Sequence, residues 1–146
     1  MLQLLDKLVS EGAITDTIIA QIGHSDYEPK YYPYQRFIQK DRFDRYIEEA
    51  DAVLTHGGVG SIVTALKRQK PVIVYPRLAK YQEHVDDHQL EIAHAFAKKG
   101  YVLCCDDDRL LPSLIESGKG MTFTPYVSQT ENIVRIISTY LEEIKI

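Results

Sequence analysis

Apolar residues recur along the chain with two different spacings, and each spacing predicts one kind of element. Recurrence every three or four positions predicts amphipathic helices at 1–10, 41–50, 61–68, 84–99, 109–117 and 131–144. Short, continuous apolar or β-branched runs predict strands at 17–23, 36–39, 52–55, 71–75 and 101–105. Apolar strands that alternate with helices are typical of a parallel sheet covered on both faces, so the pattern predicts an α/β, Rossmann-like fold.

The segments between the predicted helices and strands have the residues expected of helix ends and loops. Gly12 and Gly100 follow predicted helices at positions where a helix would stop, and the polar segment 118–130 is typical of a surface loop. The segment 24–34 is rich in tyrosine and proline, which predicts a loop. Its tyrosines could form an exposed aromatic surface for a protein partner, or they could pack against their own domain.

Length, composition and charge narrow the class of protein. A chain of 146 residues that is 45% hydrophobic is the right size for one domain, which we place at 1–146. Seventeen Lys plus Arg against 21 Asp plus Glu give a formal charge of -4, so we expect no nucleic-acid partner and no general attraction to anionic lipid. Any anionic ligand must therefore be bound by a local site.

The cysteines and the absence of a long apolar run predict a cytoplasmic location. Cys104 and Cys105 are adjacent, which suits neither a disulfide framework nor a zinc site with spaced ligand pairs, so they are interpreted as reduced core residues. No apolar stretch reaches the roughly 20 residues that cross a bilayer, and no signal peptide is evident at the N-terminus. We expect a soluble chain that another protein could tether to a membrane.

The most informative segment is THGGVGS at 55–61, which follows a predicted strand. Ligands of doubly wound sheets bind beyond the carboxyl ends of the strands, where helix N-termini present unpaired N–H groups. Three glycines allow close approach of a ligand to the backbone, and Ser61 is predicted to cap a helix whose positive end favours a diphosphate. A tight strand-to-helix turn without a ligand is the alternative. The segment matches neither GxxxxGK[ST] nor GxGxxG, which disfavours P-loop kinases and dinucleotide enzymes.

A second candidate segment, PRLAKYQEHVDDHQ at 76–89, follows another predicted buried strand. Its density of polar side chains suggests recognition of sugar or ribose hydroxyl groups. His84 and His88 are four residues apart with Asp87 between them, so a metal site is conceivable on spacing. No third ligand is obvious, and a solvated helix start with acidic residues in its first turn would have the same residues. We therefore predict no metal.

His56 is the candidate catalytic residue. Imidazole titrates near neutral pH, so this side chain could act as a base or donate a hydrogen bond to a phosphate. A histidine at the end of a strand is equally often a structural hydrogen-bonding group. Both interpretations stay open.

Taken together, THGGVGSIVTALKRQKPVIVYPR and EHVDDHQLEIAHAFAKKG resemble the C-terminal domain of family 28 glycosyltransferases, most of all its small, stand-alone members. The similarity extends from residue 1 to about residue 140. It implies the C-terminal half of a two-domain GT-B fold that binds a UDP-sugar. It also implies a separate, membrane-anchored subunit that binds a lipid-linked acceptor, so the chain would be peripheral at the membrane through that partner.

The resemblance assigns roles to particular residues. The glycine turn would contact the donor diphosphate, and the segment 83–89 would contact the ribose and the donor sugar. Together with the polar density of the segment 76–89, this resemblance predicts ten donor-binding residues: Gly57, Gly58, Gly60, Ser61, Arg77, Glu83, His84, Asp87, His88 and Gln89. The carboxylate that larger relatives use against the ribose falls near Thr64, so Glu83 or Asp87 is the candidate substitute.

The chain departs from its relatives at the N-terminus. They generally open with a strand and a turn resembling FVTVGT, whereas this chain starts directly in the following helix. We therefore expect the sheet to lack a central member and the donor site to lack one phosphate-facing loop.

The sequence thus predicts a hexosyltransferase that uses a UDP-sugar in polysaccharide biosynthesis, inverts the anomeric centre, needs neither metal nor cofactor, and works with a partner subunit. The alternative is a non-catalytic, truncated subunit that stabilises a membrane-bound partner. A two-domain nucleotide-sugar epimerase is disfavoured because 146 residues leave no room for a second Rossmann domain. Self-association stays open.

Overall fold

The computed structural model describes residues 1–76, 88–127 and 130–143. The helices are α1 (Leu2–Ser10), α2 (Lys40–Glu49), α3 (Val59–Lys67), α4 (His88–Lys98), α5 (Leu111–Gly120) and α6 (Thr130–Glu143). The strands are β1 (Ala20–Gln21), β2 (Tyr34–Gln35), β3 (Val53–Thr55), β4 (Val72–Val74) and β5 (Leu103–Cys104). A 3₁₀ turn at Asp108–Leu110 leads into α5. None of the described helices combines the length and apolarity needed to cross a membrane.

All described strand pairs are parallel, as predicted, but they belong to two sheets and not to one. The larger sheet has the order β3-β4-β5, with Val53 opposite Val72 and Val74 opposite Cys104. The smaller sheet pairs β1 with β2. The two sheets share a hydrophobic cluster, because Ala20 of β1 and Leu54 of β3 both pack against the cluster of Leu5, Ile14 and Tyr32.

The strand predicted at 36–39 was misplaced, since β2 occupies 34–35. Beyond β2 the ladder with the β1 segment continues for two bonds, from the amide of Ile22 to Gln35 O and from that of Gly23 to Arg36 O. At Ile38 the backbone N–H instead donates to the Gln21 side chain, at 2.8 Å. The chain leaves the ladder there, so the segment 36–39 does not form a strand.

Alternate residues of the central strand β4 face the two sides of the sheet, which explains the continuous apolar run. Val72 and Val74 are fully buried among the apolar faces of α2, α3 and α4. Ile73 and Tyr75 face the opposite layer, formed by α1 and α5. Full burial of each such side chain stabilises the fold by roughly 1.5–3 kcal/mol. The sheet is therefore the middle of three layers, with α2, α3 and α4 on one face and α1 and α5 on the other.

The end of α5 differs from the prediction. This helix continues to Gly120, so the loop predicted at 118–130 starts later. The polarity of the segment suggested an earlier end, but Gly118 is buried where helix and sheet are in close contact. A Cβ there would lie 3.3 Å from Ile73 Cδ1. The small residue permits the close approach, and packing outweighs its low helix propensity.

The tyrosine-rich loop packs against its own domain, mainly through the buried Asp6 of α1. Asp6 accepts hydrogen bonds from the Tyr27 hydroxyl (2.6 Å) and from the amides of Lys30 (3.0 Å) and Tyr31 (2.8 Å). Burial alone would raise the pKa of Asp6, but these hydrogen bonds outweigh it and hold the pKa below its ordinary value. The Tyr31 side chain nevertheless stays exposed.

Candidate functional site

The glycine turn joins the carboxyl end of β3 to the start of α3. Gly57 has φ +97, in the region that favours glycine, and this lets the chain reverse sharply after His56. Gly58 then occupies the N-cap position with φ -59 and ψ 122, and its carbonyl accepts the first helical bond from the Ile62 amide, at 3.1 Å. The turn therefore directs the N-terminus of α3 toward the carboxyl edge of the larger sheet.

The prediction that Ser61 caps this helix was wrong. The helix begins at Val59, so Ser61 lies inside its first turn and is half-buried. Gly58, which holds the cap position, has no side chain to offer, and no side-chain cap hydrogen bond is present at this helix start in the described structure. The first N–H groups of a helix have no partner within it, so those of α3 depend on water or a ligand.

The turn is open to the outside at the two glycines where a ligand would approach. Gly58 and Gly60 are both exposed, and a Cβ built on either would meet nothing within 4 Å. Gly57, in contrast, is buried. Within the helix, the Thr64 hydroxyl donates a hydrogen bond to Gly60 O at 2.8 Å. Neither of the two exposed glycines is needed to avoid a clash with the rest of the chain.

A cleft of about 430 Å³ lies beside this helix start. One wall comes from α3, and the opposite wall comes from the ends of the smaller sheet and the start of α2. The lining residues are Gln21, Ile38, Lys40, Phe43, Gly60, Ser61 and Thr64. The volume lies within the range of roughly 300–1,000 Å³ that small-molecule pockets have, and the cleft is open to solvent.

The wall opposite α3 combines apolar surface with neutral polar groups. Ile38 and Phe43 are half-buried, and the Gln21 carboxamide accepts the Ile38 amide hydrogen. The Lys40 ammonium at the rim lies 2.6 Å from Asp44 Oδ2. The hydrogen bond from Lys40, with Arg68 also nearby, lowers the pKa of Asp44. The cation at the rim is therefore already balanced by a carboxylate, so among the described residues that line the cleft the helix start is the feature that favours an anion.

Four of these cleft residues, Gln21, Ile38, Lys40 and Phe43, were not predicted. They lie outside the glycine turn and the segment 76–89, on which the predicted site rested. Gln21 lies near the end of the strand predicted at 17–23, which was an available signal because carboxyl ends of strands are where ligands bind in such sheets.

The structure describes two of the six predicted residues in the second segment. Arg77, Glu83, His84 and Asp87 lie outside the described residues. His88 and Gln89 are the first two residues of α4. His56 is half-buried directly before the turn.

Comparison with known proteins shows the family of this chain. The profile of the glycosyltransferase family 28 C-terminal domain matches residues 5–133. The chain belongs to glycosyltransferase family 28. This membership agrees with the resemblance carried by the glycine turn and the segment after β4.

Among the curated family members that are similar to this chain is the UDP-N-acetylglucosamine transferase subunit ALG13 of Candida albicans, 38% identical over 67 residues, which are 46% of this chain and 22% of that protein. The subunit of the same name from Homo sapiens is 30% identical over 106 residues, which are 69% of this chain and 9% of that protein. The matched segment therefore covers less than a quarter of the length of either relative.

A solved structure supports the fold. The glycotransferase of kitacinnamycin has a TM-score of 0.61 and 20% identity, and the match covers 83% of this chain and 32% of that one. The prediction of a Rossmann-like α/β domain, equivalent to the C-terminal half of a GT-B glycosyltransferase, is confirmed.

Proposed function

We propose that this family 28 chain binds a UDP-sugar and supplies the donor half of a sugar transfer to a lipid-diphosphate-linked acceptor. The observation that carries the proposal is the open, uncapped start of α3 beside a cleft of about 430 Å³. A diphosphate at the helix start would place the attached nucleoside within reach of the cleft. The name of the ALG13 relatives supports a UDP-sugar as the donor.

Two parts of the site would bind two parts of the nucleotide. The amides of the first turn of α3 would donate to the phosphate oxygens, and the positive end of the helix dipole favours their charge. Ile38 and Phe43 would contact the base, while Gln21 and Thr64 would offer polar groups to its edge or to the ribose. The residues predicted at 83–89, with Arg77, would contact the ribose and the donor sugar.

The chemistry that follows is an inverting transfer without metal or cofactor. The glycosidic bond to the β-phosphate breaks, UDP leaves with the electron pair, and backbone N–H groups stabilise its charge in place of a cation. The acceptor hydroxyl attacks the opposite face of the sugar and loses its proton to a base. His56 or a group of the partner subunit would be that base.

The acceptor would come from a partner. We propose a membrane-anchored subunit that presents a lipid-linked sugar, which would make this chain peripheral at the cytoplasmic face and part of a polysaccharide or glycan assembly system. The relatives' description as a subunit supports a partner.

Titration calorimetry tests the donor proposal. UDP, UDP-galactose and UDP-N-acetylglucosamine are titrated into the chain without added divalent metal, and UMP serves as the matched control that lacks the β-phosphate. We expect UDP to bind more tightly than UMP, and one UDP-sugar to bind more tightly than the other. Equal affinity for UMP and UDP would contradict the role of the α3 start. No binding of any nucleotide, with or without the partner, would leave the non-catalytic scaffold as the better account.

A further inference from the structure

Three side chains with different ligand atoms meet at the carboxyl end of β5, outside the donor site. His94 lies in α4, Cys104 is the last residue of β5, and Asp106 follows that strand. His94 Nε2 is 2.8 Å from Asp106 Oδ2, and Cys104 Sγ is 3.1 Å from Asp106 Oδ1. One ligand atom from each of the three lies within 4.8 Å of the other two.

The alternation of an extended chain selects these residues from the run CCDDD. Cys104 and Asp106 are two positions apart and face the same side, toward His94. Cys105 is buried and its thiol donates to Asp107 O at 3.3 Å. The other two aspartates have other contacts, since Asp107 binds Arg109 (2.6 Å) and Asp108 accepts from the Tyr75 hydroxyl (2.6 Å).

The three ligand types match those of zinc. Thiolate sulfur, imidazole nitrogen and carboxylate oxygen bind Zn²⁺ at about 2.0–2.3 Å, which separates neighbouring ligand atoms in a tetrahedron by roughly 3.3–3.6 Å. The two observed contacts of 2.8 and 3.1 Å would have to open by about half an ångström. The His94 and Asp106 side chains are 50% and 53% exposed, so an ion can enter and a water can complete the tetrahedron.

We propose that His94 Nε2, Cys104 Sγ and the Asp106 carboxylate bind a zinc ion, with water as the fourth ligand. When the ion binds, the sulfur–zinc bond replaces the S–H bond, and the proton leaves to solvent. The ion would link α4 to the end of β5. Because α4 also carries His88 and Gln89 at its start, the metal would hold in place a helix that the donor proposal uses, without taking part in the transfer.

Cobalt titration of the metal-free chain tests the site directly. Co²⁺ reports a bound thiolate through a sulfur-to-cobalt charge-transfer band, and competition by Zn²⁺ then gives the zinc affinity. We expect one Co²⁺ per chain with that band present. C104S should remove the band. H94Q and D106N should each weaken binding by at least about tenfold, the size of effect that follows loss of metal-site groups.

Matched variants separate this site from its neighbours. C105A retains one thiol in the pair, D107N changes the next carboxylate, and H24Q removes an exposed histidine elsewhere, so all three should bind Co²⁺ like the parent chain. The double variant H84N/H88N tests the other histidine pair and should also bind normally. Loss of binding in the double variant with normal binding in H94Q would overturn the proposal. So would a charge-transfer band that survives C104S, or the absence of binding by the parent chain.

Discussion

Replacement of Gly58 by leucine tests the donor site with little structural interference. Gly58 has φ -59 and ψ 122, which other residues adopt easily, and a Cβ there meets nothing within 4 Å. Leucine is a poorer N-cap than glycine, so G58L should lower the free energy of unfolding by about 1 kcal/mol at most. The variant should therefore fold.

The effect on UDP binding should be much larger. A leucine side chain at this position would project over the first-turn amides of α3 and exclude a phosphate from them. Hydrogen bonds to charged groups contribute about 1.5–3 kcal/mol each, so loss of two removes about 3–6 kcal/mol. The dissociation constant for UDP should rise at least about 100-fold.

Calorimetry of G58L beside G120L provides the measurement and its control. Gly120, the last residue of α5, is also exposed, and a Cβ on it also meets nothing within 4 Å, but it lies away from the cleft lining. G120L should bind UDP like the parent chain. If a folded G58L, checked by circular dichroism, bound UDP within a few-fold of the parent, a diphosphate at the start of α3 would be refuted.

Two further predictions concern the stability of the fold. D6N should destabilise the chain by about 2–3 kcal/mol near neutral pH, because the buried Asp6 carboxylate accepts bonds from Tyr27, Lys30 and Tyr31. The folded-state pKa of Asp6 is lowered, so its contribution is present above the ordinary pKa of about 4 and is lost as pH falls further. Urea unfolding should show the gap between D6N and the parent narrowing in acid, and a gap independent of pH would contradict this. G100A should lower the free energy of unfolding by about 1–2 kcal/mol, because Gly100 has φ +75 and a Cβ would lie 2.7 Å from Thr124 Oγ1. A thermal melt unchanged from that of the parent would refute it.

Much of the fold could be predicted because it depends on local periodicity. The run PVIVY at 71–75 is apolar at every position because both faces of β4 are covered, and such a run between helices is typical of a parallel sheet. Gly12 and Gly100 have positive φ after α1 and α4, as their predicted role as helix stops requires. These features need no knowledge of distant contacts.

The errors have two causes, a local backbone conformation in one case and a tertiary contact in the other. Ser61 is a favourable N-cap residue, but the positive φ of Gly57 turns the chain early enough for α3 to begin at Val59. The segment 36–39 looks like a strand, but the Gln21 side chain binds the Ile38 amide and ends the ladder. The bond between Gln21 and Ile38 joins residues 17 positions apart and cannot be inferred from the neighbouring residues.

Both binding surfaces combine residues that are distant in the chain. The cleft joins Gln21 and Phe43 to Gly60, and the proposed zinc site joins His94 to Cys104 and Asp106. The sequence analysis disfavoured a zinc site at the cysteine pair because the two cysteines are adjacent. That spacing argument applies to one segment and does not test for ligands that come from separate elements. A strand and the helix packed on it have to be placed before such a site becomes visible.

The central claim is that the amides at the start of α3 bind the diphosphate of a UDP-sugar. Backbone ¹H–¹⁵N resonances of the chain, followed during titration with UDP, test it residue by residue. The largest shifts should fall on Gly58, Val59, Gly60 and Ser61, with smaller shifts at Gln21 and Ile38. Shifts that leave the first turn of α3 unmoved while UDP binds elsewhere would contradict the account.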